Sequence, residues 1–159
     1  MLVAWTGHRP ELFRDPVAAR DAVGSVAREL AHRADLRFLV GGQRGVDTWA
    51  ALSAIHSGIP FSLVLPFDAD TFTLDWPEAD RAVLLQTMTR AETVRVAGGY
   101  TERNQILASA ADLLVAVWTR TAGGGTAETV HLARQAGTPI REVILPPSPA
   151  ARTAHGRGI

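Results

Sequence analysis

Three consecutive glycines, Gly123, Gly124 and Gly125, run into Thr126 and Glu128 where a helix-like segment begins. A helix start leaves backbone N–H groups unpaired and carries a partial positive charge. Glycines ahead of it let a ligand approach the backbone closely. That combination suits a phosphate or another anion. Thr126 can cap the helix or donate its hydroxyl to the same anion. Glu128 has two readings: an acid/base or ribose-binding group, or a first-turn acid that complements the helix dipole. Three further loops carry comparable residues: "TGHRP" with Gly7, His8 and Arg9; "GGQRGVD" with Gly41, Gly42, Arg44, Gly45 and Asp47; and "GGYTERNQ" with Arg103 and Asn104. Arginines in such loops offer planar, bidentate recognition of phosphate oxygens. Each also has a structural reading. Arg103 can be a surface helix residue, His8 and Arg9 can simply hold their loop, and Asp47 can bind ribose hydroxyls or serve as a first-turn acid.

These loops work together only if the fold brings them to one rim. Short apolar runs at 2–6, 37–41, 61–66, 93–97, 113–118 and 140–145 read as strands, most of them apolar enough to be covered on both faces. Helices are expected over 16–33, 46–57, 76–90, 101–111 and 126–136. Asp15 and Pro16 open the first of them, and Gly58 and Gly137 stand at helix ends. Strand–helix alternation predicts a single α/β domain with a mostly parallel sheet and helices on both faces. Ligands then gather at the carboxyl ends of the strands, where all four loops fall. Residues 1–145 form this domain, and the proline- and glycine-rich stretch 146–159 reads as a flexible tail.

Composition excludes several chemistries. The chain has no cysteine, and its five histidines lack metal-ligand spacing, so no metal site is expected. Asp68 and Asp70 form a paired acidic loop of the kind that is usually just solvated. All 16 basic residues are arginine, so no lysine follows the glycines and a Walker loop is absent. G-x-G-x-x-G is missing after the first strand, which removes the standard dinucleotide fingerprint. No resident cofactor is expected. Net charge is zero and the arginines are scattered, which disfavours nucleic acid as a partner. No signal peptide or membrane-length apolar run is evident, so a cytoplasmic setting is expected. An apolar content of 47% is compatible with a homodimer without demanding one.

"TGHRPELF", "GGQRGVDTWAAL", "RNQILASAADLLVAVW" and "GGGTAETVHLARQAGTPI" together resemble the YpsA-like branch of the SLOG superfamily, over roughly residues 3 to 140. That superfamily also holds the Lonely Guy (LOG) phosphoribohydrolases and the DprA-type DNA-processing proteins. The resemblance implies a Rossmann-like sheet whose rim binds a nucleotide or nucleotide-derived ligand, in some relatives as a sensor. In LOG enzymes it would imply hydrolysis of the N-glycosidic bond of a nucleoside 5′-monophosphate, with Glu128 and Arg103 as the catalytic pair. Two departures stand out. Asn104 occupies the place of the LOG lysine. With Thr126 aligned to the LOG threonine, the position three residues on is Thr129, and Glu128 comes one residue early, a turn of about 100° on a helix. Phosphate binding through backbone amides is untouched by that change.

Overall fold

The computed structural model describes residues 1–121 and 123–149, and within them six strands form one sheet in which every pairing is parallel. The strands are β1 (Leu2–Gly7), β2 (Arg37–Val40), β3 (Phe61–Leu65), β4 (Thr93–Val96), β5 (Leu113–Trp118) and β6 (Ile140–Ile144). Their order across the sheet is β4-β3-β2-β1-β5-β6. This is the expected α/β domain, with the sheet wholly parallel. Central strands are buried on both faces, as their unbroken apolar character requires: Val3, Ala4, Trp5, Val115 and Ala116 are all 0% exposed. At the edge, β4 pairs only with β3 and stays exposed along its length.

The helices are α1 (Pro16–Leu30), α2 (Val46–Ser57), the single turn α3 (Ala69–Phe72), α4 (Glu78–Arg90), α5 (Tyr100–Ala110) and α6 (Gly125–Ala136). Asp15 caps α1 by accepting from the Ala18 amide at 3.0 Å, and Ala19, Val23, Val26, Ala27 and Leu30 form its buried stripe. It ends at Leu30, three residues short of the expected 33, and Ala31 closes it by donating to the Ala27 and Arg28 carbonyls. Gly58 and Gly137 end α2 and α6 in the left-handed conformation. The turn α3 was not expected. Asp68 caps it by accepting from the Thr71 amide, and Asp70 pairs with Arg81 at 2.8 Å, so both members of the acidic pair have local structural partners.

Two cores flank the sheet. One joins α1, α2 and α4 to Trp5, Phe38 and Leu63; the other joins α5 and α6 to Ala4, Leu39, Leu114 and Ala116. Side chains alternate between them along β1, the register that a parallel central strand imposes. The chain leaves β1 to one side through α1 and reaches β5 on the other through α5. The crevice beyond β1 and β5 is therefore the topological switch point, where ligands of open α/β sheets bind.

The packed chain continues past residue 145. Arg14 donates its amide to the Pro146 carbonyl, the Ser148 amide donates to the Leu12 carbonyl, and the Ser148 hydroxyl donates to the Glu11 carbonyl. The first residues assigned to a flexible tail thus clamp the segment after β1. Residues 150–159 of that tail lie outside the described residues. No helix among the described residues is long and apolar enough to cross a membrane.

Candidate functional site

The starts of α5 and α6 and the loops after β1 and β2 converge on one cleft of about 760 Å³. Gly7, His8, Arg9, Asp47, Arg103, Asn104, Gly123, Gly124, Gly125, Thr126 and Glu128 all line it. The convergence follows from topology: in a parallel sheet every strand ends, and the next helix begins, on the same rim.

The start of α6 is built open. Gly124 adopts φ +93°, a conformation that favours glycine, and a Cβ at Gly123 or Gly124 would meet nothing within 4 Å. The first bond of the helix runs from the Glu128 amide to the Gly124 carbonyl at 3.0 Å. The amides of Gly125, Thr126 and Ala127 precede that bond and have no partner among the described residues. Thr126 is 5% exposed and borders the cleft. Thr129 is turned into the core, where its hydroxyl donates to the Gly125 carbonyl at 2.7 Å. The one-residue step noted in the sequence thus puts the carboxylate of Glu128 on the cleft side and the threonine on the core side.

Arg103 is buried on the inner face of α5 and is not a free clamp. Its guanidinium donates to the Gly41 carbonyl at 2.6 Å and, through Nε, to Asn104 Oδ1 at 2.8 Å. Asn104 in turn donates from Nδ2 to Glu128 Oε2 at 2.9 Å. One hydrogen-bonded chain therefore links the loop after β2, α5 and α6. Burial depresses the Arg103 pKa, and the negative charges of Asp47 and Glu128 act against that. Asp47 is buried as well and accepts from the Gln43 amide at 3.1 Å. Burial lifts its carboxyl to about 6, with Arg103 and the Gln43 N–H pulling the other way.

The loop after β2 serves chiefly as scaffold. A Cβ at Gly41 would stand 2.5 Å from Arg103 Nη1 and 2.9 Å from Asp47 Oδ2. Gly42, at φ +78°, packs on Leu65, and Gly45, at φ +86°, lies against the His8 carbonyl. Arg44 turns away from the cleft to pair with Glu11 at 2.9 Å and Asp80 at 3.7 Å. Of this loop, Gln43 and Asp47 reach the cleft, whereas Gly41, Gly42, Arg44 and Gly45 do not line it.

After β1, Gly7 allows β5 and α2 to close in: a Cβ there would stand 2.4 Å from both the Val117 carbonyl oxygen and Val46 Cγ2. His8 is 4% exposed, with Nε2 3.2 Å from the Thr119 hydroxyl, and burial beside Arg9 lowers its pKa to about 4. Its ring is neutral at pH 7. Arg9 is exposed at the rim, 3.6 Å from Glu11. Tyr100, Gln43, Leu12 and Leu107 also line the cleft and were not singled out from sequence. Tyr100 was the detectable one: it directly follows Gly98 and Gly99 at a helix start.

Neither a protein-family model nor a curated protein matches the chain. Solved structures do. DNA processing protein A from Helicobacter pylori, described for its single-stranded DNA binding mode, has a TM-score of 0.64 at 18% identity, over 89% of this chain and 64% of that one. The Streptococcus pneumoniae DNA processing protein A gives 0.66 at 20%, over 88% of this chain and 49% of that one. The molybdenum cofactor carrier protein from Chlamydomonas reinhardtii gives 0.62 at 23%, over 89% and 74%. The chain thus spans less than two thirds of either DNA processing protein. With one neighbour described for binding single-stranded DNA, the expectation against a nucleic-acid partner is not supported. In fold, the chain is a Rossmann-like α/β domain similar to these solved structures.

Proposed function

We propose that the cleft binds a small nucleotide-derived ligand, with its phosphate on the amides of Gly125, Thr126 and Ala127 and on the Thr126 hydroxyl. The observation that supports this reading is the start of α6, where the amides of Gly125, Thr126 and Ala127 lack partners among the described residues and Gly123 to Thr126 line a 760 Å³ cleft. Helix starts of this kind favour anions by about 0.3–1 kcal/mol from the dipole alone, before any hydrogen bond is counted. Arg9 supplies exposed positive charge at the rim, while Arg103 holds the walls together. Binding without turnover, as in a sensor or carrier, fits a site whose strongest cation is already engaged. A solved neighbour named as a cofactor carrier supports a small-molecule ligand. Isothermal titration with AMP, ADP-ribose, NAD and inorganic phosphate tests the reading. Binding by at least one phosphate compound is expected, and the absence of any heat or thermal shift at millimolar concentration contradicts it. Tighter binding of an oligothymidine than of every mononucleotide would favour single-stranded DNA instead.

A second reading is hydrolysis of an N-glycosidic bond, favoured by the cleft-facing carboxylate of Glu128 on its Asn104 donor. A carboxylate so placed can stabilise positive charge developing on the sugar and activate a water. Incubation with nucleoside monophosphates should then release free base, and Glu128→Gln should abolish the release. An unchanged rate in that variant removes Glu128 from the chemistry.

A further inference from the structure

Tyr100 is the only tyrosine of the chain, and the phosphate reading leaves it without a task. It opens α5 directly after Gly99, whose φ of +128° sets the direction in which the helix departs. Tyr100, Arg103, Asn104 and Leu107 follow the i, i+3, i+4, i+7 spacing of one helix face, and all four line the cleft. Along that stripe Leu107 is 1% exposed at the floor, and Tyr100 is 46% exposed at the mouth. The exposure is not for want of apolar neighbours. Phe67 meets the tyrosine ring edge-on with centroids 5.3 Å apart, and Phe72 lies 6.3 Å away, so the ring is held in place without being covered. The Arg103 guanidinium carbon lies 5.6 Å from the ring centroid, which adds a cationic partner to the same π system. A ring held rigid by neighbours, exposed toward a cleft and placed on the same rim as an anion seat is what a planar heterocycle stacks on.

We infer that Tyr100 is the stacking platform for the heterocycle of the ligand, so that the cleft selects phosphate compounds carrying a planar nitrogenous ring over sugar phosphates alone. This rests on the phosphate reading above. The two can be told apart by titrating wild type, Tyr100→Ala, Tyr100→Phe and Tyr100→Trp with 5′-AMP and with ribose 5-phosphate, with thermal unfolding of each variant as the check on folding. Wild type should prefer AMP by about tenfold or more. Tyr100→Ala should lose that preference while keeping its affinity for ribose 5-phosphate, and the phenylalanine and tryptophan variants should retain it. Equal wild-type affinity for the two compounds, or an alanine variant that binds AMP as wild type does, overturns the platform and leaves the phosphate seat standing. Failure of wild type to bind either compound overturns the platform, and the phosphate reading falls with it if ADP-ribose, NAD and inorganic phosphate do not bind either.

Discussion

Asn104 stands between two charged side chains and satisfies both: Oδ1 accepts from Arg103 Nε at 2.8 Å, and Nδ2 donates to Glu128 Oε2 at 2.9 Å. The amide cannot flip without losing both bonds, because only one end donates and only the other accepts. Its orientation therefore sets that of the cleft carboxylate. Asn104→Leu leaves a buried guanidinium N–H without its acceptor and should cost about 1–3 kcal/mol in urea unfolding. Glu128→Gln keeps an acceptor at the same place and should cost less than about 1 kcal/mol. Equal losses in the two variants would contradict this account.

Asp47 and His8 push stability in opposite directions over the same pH range. With its pKa raised from 3.8 to about 6, native Asp47 keeps its proton where the unfolded chain has released it. Its contribution is full below about 3.8 and is lost as pH rises through about 6. His8, lowered from 6.5 to about 4, is neutral in the native state where the unfolded chain is charged, so its contribution is present above 6.5 and lost as pH falls through about 4. Asp47→Asn should therefore expose the histidine. Between pH 4 and 6 its stability should rise with pH more steeply than that of wild type, by up to about 1.4 kcal/mol per unit, on top of a uniform loss from weakening the environment of Arg103. Urea titrations at several pH values read the slopes. Parallel curves for the two proteins would refute the assignment.

Gly41 is tightly enclosed by the site. Its missing Cβ leaves room for Arg103 Nη1 and Asp47 Oδ2, both of which an added methyl would meet at under 3.0 Å. Gly41→Ala must displace one of two buried, bonded groups, at a cost of about 1–3 kcal/mol. The fold should persist with a lower unfolding midpoint and weakened ligand affinity. A midpoint equal to wild type would show that the Arg103 end swings aside freely.

Gly123 presents the opposite case. A Cβ there meets nothing within 4 Å, so Gly123→Val should unfold within about 0.5 kcal/mol of wild type. Its branched side chain would nevertheless stand at the start of α6, where the phosphate is proposed to sit. Affinity for phosphate compounds should fall by an order of magnitude or more, a loss measurable by titration calorimetry. Unaltered affinity would move the anion seat elsewhere in the cleft.

Much of the architecture is legible in the chain itself. Near-continuous apolar runs such as "LLVAVW" fit only strands covered on both faces, and their alternation with helical segments implies a parallel sheet. Glycine-rich loops ahead of helices mark the rim, because anion-binding helix starts need an unobstructed backbone. Local sequence does not reveal which way each side chain turns once the rim is assembled. Arg44 and Arg103 both follow a glycine pair just after a strand, yet one faces Glu11 and Asp80 and the other is buried against Gly41.

Residue spacing and composition by themselves determined the α/β class, the positions of the six strands and the loops that had to meet. The three-dimensional packing decided the rest: that Gly41, Gly42 and Gly45 serve close packing, that Glu128 and not Thr129 faces the cleft, and that Pro146 to Ser148 brace the segment after β1. The physical reason is range. Strand and helix preferences are set by neighbours within a few residues, whereas each of these outcomes depends on a partner more than 20 residues away or on the exact rotation of a helix against the sheet.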